Sequence, residues 1–127
     1  MKRNPIFHGI LEQAQAAGRE AGAACRPTPM AVVACGIDNK PLPGAVPEVV
    51  YDGVCGFAWV HIKGNTPFGR WAKQQGLAFR DYPSGLLLRL EGDYNQSLER
   101  KEAHARAMAK VLQEHGITDA YAKSRID

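Results

Sequence analysis

From residue 54 to residue 62 the chain alternates with a period of two: Val54, Ala58, Val60 and Ile62 fall on one face, and Cys55, Phe57, Trp59 and His61 on the other. Val49-Val50-Tyr51 precede this run across Asp52-Gly53. Asp-Gly between β-formers predicts a two-residue type I′ turn, whose positive φ glycine tolerates. The expectation is therefore a hairpin. A second run, residues 84–91, sets Leu86, Leu88 and Leu90 against Leu87, Arg89 and Glu91. A third, residues 120–126, sets Ala120, Ala122, Ser124 and Ile126 against Tyr121, Lys123 and Arg125.

Helical spacing fills the gaps. Thr66 suits an N-cap and Pro67 the first helical position, with Phe68, Trp71 and Ala72 as the buried stripe and Gly76-Leu77 as the stop. Asp93, Asn95 and Ser97 are alternative caps for a helix striped by Leu98, Ala105, Met108, Ala109 and Leu112, which ends at Gly116-Ile117. Residues 6–25 predict one more helix, with a shallow stripe of Phe7, Ile10, Leu11 and alanines that Gly18 and Gly22 weaken. That stripe needs a partner surface, in its own domain or in another chain. Five of the eight prolines fall in residues 26–47, where Met30 to Cys35 allow one short strand. The division is a helix at 1–25, a Pro-rich arm or linker at 26–47, and a compact domain at 48–127. The fold class is α/β: a two-layer sandwich ordered hairpin, helix, strand, helix, strand, with a mixed sheet.

Composition adds little until it is mapped. The chain has 127 residues, 45% hydrophobic, with a net charge of +3, which suits one globular domain. No stretch is long and apolar enough for a membrane span, and no secretory signal is read. The charge is uneven, because residues 54–90 carry Lys63, Arg70, Lys73, Arg80 and Arg89 against Asp81 alone. A positive middle third steers an anionic partner. Cys25, Cys35 and Cys55 form no C-x-x-C, which argues against a disulfide framework or zinc site and for a reducing cytoplasm. Cys55, in an apolar run, reads as a small buried hydrophobe.

If the aliphatic faces make one core under the helices, the other faces form a platform bearing Trp59, His61, Arg89, Tyr121, Lys123 and Arg125. Rings with cations on a sheet suit single-stranded nucleic acid. The absence of an RNP-type motif and the low total charge favour instead a face covered by the first helix or by a neighbouring subunit. Lys63, Gly64, Asn65 and Thr66, at a helix start, form a candidate anion site that is not a P-loop. Cys55 and His61 stand about 20 Å apart along their strand, too far for a nucleophile and its base. His104, among charged residues on a helix, reads as solvated. No catalytic residue, metal site or cofactor is identified.

Four stretches stand out together: Pro27-Thr28-Pro29-Met30, Asp52-Gly53-Val54-Cys55-Gly56-Phe57-Ala58-Trp59-Val60, Asn95-Gln96-Ser97 with Glu99-Arg100-Lys101-Glu102-Ala103, and the ending Ala120-Tyr121-Ala122-Lys123-Ser124-Arg125-Ile126-Asp127. In these the chain resembles small bacteriophage-encoded proteins of no agreed activity. The resemblance implies a virion or assembly component, or an accessory protein acting on a host target, in the infected cell's cytoplasm or in the virion. The leading expectation is a non-enzymatic protein–protein interaction module that self-associates or binds a protein partner through its first helix and arm. A single-stranded nucleic-acid-binding domain is the alternative, and an enzyme of unassigned chemistry the third.

Overall fold

The computed structural model describes residues 4–51, 53–92, 94 and 97–127. Asp52, Asp93 and Asn95, named above as turn and cap candidates, lie outside them. Among the described residues three helices, α1 (Pro5–Ala24), α2 (Pro67–Gln74) and α3 (Leu98–Glu114), accompany six strands. These are β1 (Met30–Val32), β2 (Glu48–Val50), β3 (Gly56–Ile62), β4 (Ala78–Arg80), β5 (Leu86–Leu88) and β6 (Tyr121–Ile126). Each helix starts where its sequence provides a cap. Asn4, Thr66 and Ser97 accept from the N–H groups of Phe7, Gly69 and Arg100, and prolines open α1 and α2. Gly76 and Gly116 take positive φ at the ends of α2 and α3, and the following N–H groups of Leu77 and Ile117 reach back to Ala72 and Leu112.

Four strands form one sheet in the order β4-β5-β3-β6, and every neighbouring pair is antiparallel. The architecture is the expected two-layer α/β arrangement, but the sheet is not mixed. The reason is β4, three residues that carry no alternation long enough to read. It pairs with β5 as a hairpin, so β3-α2-β4 and β5-α3-β6 are parallel crossovers that each skip one antiparallel strand. The resulting β-α-β-β-α-β order is the split arrangement of ferredoxin-like domains.

The expected hairpin across Asp52-Gly53 does not form. β2 pairs backward with β1, Met30 opposite Val50, and β3 pairs with β5 and β6. Gly53 does take positive φ, where an added Cβ would lie 2.5 Å from the Thr28 carbonyl oxygen, so the glycine serves the arm's packing. Cys55 precedes β3 and is exposed rather than buried, because the long strand begins two residues later than its apolar run.

The core lies between the sheet and the helices. Val60, Ile62, Leu86 and Leu88 meet Phe68, Trp71 and Ala72 of α2 and Ala105, Met108, Ala109 and Leu112 of α3. Ile10, Leu11 and Ala14 of α1 join the same core, and Phe7 packs edge-on against Phe68. The shallow first helix thus finds its partner surface within its own chain, chiefly on α3. It sits on the helix side of the sheet and leaves the other face open.

Candidate functional site: the open sheet face and the Asp81 cluster

Pairing register builds the face. Phe57, Trp59 and His61 of β3 stand opposite Arg125, Lys123 and Tyr121 of β6, while His61 also stands opposite Leu87 of β5, which pairs in turn with Phe79 of β4. All six residues of the expected platform fall on this side, and cations lie over rings across it. Arg125 and Lys101 approach the Phe57 ring at 5.1 Å each, Arg89 the Phe79 ring at 4.3 Å, and Lys123 the Trp59 indole at 5.7 Å. His61 and Tyr121 stack with centroids 4.8 Å apart. A groove of roughly 900 Å³ runs along the face; among the described residues Arg80, Arg89, Lys101 and Arg125 line it against one acid, Asp81.

Asp81 organises the site. Its Oδ2 accepts from Trp59 Nε1 at 3.1 Å and from Lys123 Nζ at 3.4 Å, and it lies 2.6 Å from His61 Nδ1. Oδ1 accepts the Tyr82 N–H at 2.7 Å. Burial alone would raise this carboxyl, but the bonds from His61, the Tyr82 backbone, Trp59 and Lys123 outweigh burial and hold it below the ordinary carboxylate value. An ionised carboxylate only accepts, so His61 Nδ1 carries the hydrogen and its Nε2 is left over. Nε2 lies beside Gly85, where an added Cβ would sit 2.6 Å from it, and Gly85 itself has positive φ. The absence of a side chain at residue 85 makes room for the histidine ring, which is largely buried and still lines a groove at this edge.

Beyond that edge is a second groove of roughly 740 Å³, lined by His61, Lys63, Gly64, Asn65, Lys73, Arg80, Ser84, Gly85 and Leu86. Three members of the expected anion site are here, but Thr66 is not. Its hydroxyl is spent on accepting the Gly69 N–H and donating to the Lys63 carbonyl.

Sequence reasoning missed Asp81, Phe79, Lys101 and the cations Lys73 and Arg80 as members of these grooves. One signal for Asp81 was present, since it is the lone acid in the basic middle third.

His104 is fully buried, which overturns its reading as a solvated helix residue. Gly18 of α1 leaves room for its ring, where a Cβ would come within 2.2 Å of the imidazole. Its Nε2 meets Gln15 Oε1 at 2.8 Å and its Nδ1 meets Tyr94 Oη at 2.7 Å. Gln15 Oε1 also accepts the Glu91 N–H, and Gln15 Nε2 donates to the Arg89 carbonyl. Burial, helped by the nearby Arg19 charge, pushes His104 down to about 4.

Among the described residues no group of three His, Cys, Asp or Glu side chains comes together as a metal site. No helix of the described residues is long and apolar enough to cross a membrane. No family model, curated protein or solved structure matches this chain.

Proposed function

We propose that the open face of the β4-β5-β3-β6 sheet binds single-stranded nucleic acid. The observation that carries this reading is the position of α1. It packs on α3, behind the sheet, so the rings of Phe57, Trp59, Phe79 and Tyr121 and the cations around them face outward. Each base offers a π-face that stacks on such rings whatever its sequence, and the cations meet the phosphates between. A face of this size takes about two or three bases. The role suits the phage setting that the sequence resemblance implies, in an infected cell or a virion.

Tryptophan fluorescence gives a direct test. Trp71 is buried in the core, so quenching by an oligonucleotide reports Trp59. The expected result is quenching by single strands that weakens as salt rises, and an affinity loss of about 1–3 kcal/mol on Trp59→Ala measured by anisotropy. No binding at low salt by either DNA or RNA single strands overturns the reading.

A second reading, a protein partner, rests on a different region. Residues 26–51, the arm and the strand β2 that pairs back onto it, bury none of their side chains, and Ile37, Val46 and Tyr51 stand well exposed there. A two-stranded ladder with no core of its own is marginal in water and gains by docking. Light scattering tests it: an oligomer that Ile37→Ser with Val46→Ser converts to a monomer supports docking between copies.

A further inference from the structure

We propose that the groove beyond His61 is a pocket for the terminal phosphate of a single strand lying on the platform; this rests on the nucleic-acid reading and extends it. The groove and the platform share Arg80 and meet at His61, whose Nδ1 faces Asp81 while its outer edge lines the pocket. Lys63, Lys73 and Arg80 line it, and among the described residues no acidic side chain does. Two acids come near without lining it. Asp119 is occupied by the Lys63 N–H at 2.7 Å, and Asp81 lies behind the histidine, bonded to His61, Trp59 and Lys123.

Three cations suit the charge of nearly two on a phosphate monoester better than the single charge of an internal diester. Ser84 adds a hydroxyl donor, and Gly85 leaves the wall without a side chain where an oxygen must approach His61. Lys63 follows Trp59 by four residues, about 13 Å of strand, so one short oligonucleotide reaches both the indole and the pocket.

The test compares one hexanucleotide with a 5′-phosphate, with a 3′-phosphate and with neither. The expected result is that a phosphate on one end tightens binding about tenfold, and that Lys63→Gln with Lys73→Gln erases the difference while leaving the unphosphorylated strand nearly unaffected. Both lysines are exposed, so the variant keeps its fold, which circular dichroism checks. Equal affinity of all three strands overturns the pocket and leaves the platform standing. Should no strand bind, the platform reading fails, and inorganic phosphate alone decides the pocket. Amide shifts around Lys63 and Lys73 that the double variant abolishes support it, and their absence overturns it.

Discussion

His61 and His104 each belong to a hydrogen-bonded cluster that joins distant parts of the chain, and the two clusters end differently. Around His104 both ring nitrogens are used. Tyr94, whose phenol burial keeps protonated, donates to Nδ1, and Nε2 donates to Gln15, which also holds the backbone of Arg89 and Glu91. Every polar atom of that imidazole is answered inside the protein, so the cluster locks α1 to α3 and to the end of β5. Around His61 the answer stops halfway. Asp81 takes one nitrogen, and the other meets a groove lined with cations. A buried polar group with all its bonds made contributes specificity of fold, whereas one with a bond left over is available to a ligand. The same residue type thus seals structure in one place and lines a candidate site in the other.

The largest expected effect separates the two by acid. His104 titrates at about 4 in the folded chain and near 6.5 when unfolded, so the unfolded chain binds more protons between those values. Stability should be full above pH 6.5, fall by about 1.4 kcal/mol per pH unit below it, and level off near 4, about 3 kcal/mol in all. Urea midpoints across that range measure the slope, and His104→Gln should flatten it. Asp81 behaves differently. Its folded value lies below 3.8, so its contribution persists until the pH falls below that point. Stability that fails to decline between pH 6.5 and 4 contradicts the sealed state of His104.

A pair of glycines gives the next effect. Gly18→Ala drives a Cβ into the His104 ring and should cost about 2–3 kcal/mol. Gly9→Ala, on the same helix but with nothing within 4 Å, should stabilise by about 0.5–1 kcal/mol. Thermal melts of both variants decide, and equal shifts would mean that α1 and α3 do not meet at Gly18. Asp81→Asn should cost about 1–2 kcal/mol, because His61 and Lys123 lose their anion, and it should loosen Trp59, seen as red-shifted emission. Tyr121→Ala comes last. It should change stability by less than about 0.5 kcal/mol while weakening single-strand binding in the anisotropy assay, since the ring is half-exposed beside His61.

The sheet face was legible in the sequence because alternation is a local property. Trp59 and His61 share a side of β3 whatever strand pairs with it, and the aliphatic residues opposite them had to be core. Pairing partners were not legible. Val49 and Val50 carry the same β-forming signal whether they pair forward across Gly53 or backward with Met30, and only the arm's return path decides. Asp81 escaped for a related reason, since its bonds to Trp59, His61 and Lys123 span 20 to 42 positions and leave no trace in its own loop. The burial of His104 depended on a notch in another helix. Gly18 had registered only as a weak helix former, although its lack of a side chain is what lets α3 approach.

β6 ends the sheet, and among the described residues its outer side pairs with nothing. An exposed strand margin six residues long is a template on which a second copy can add its own strand and begin a stack. Lys123 and Arg125 stand on that margin, so two copies meeting edge to edge bring like charges together. Repulsion of this kind fades as ions screen it. These edge cations therefore act as colloidal spacers, and concentrated protein should scatter least light in dilute buffer and progressively more as salt is added.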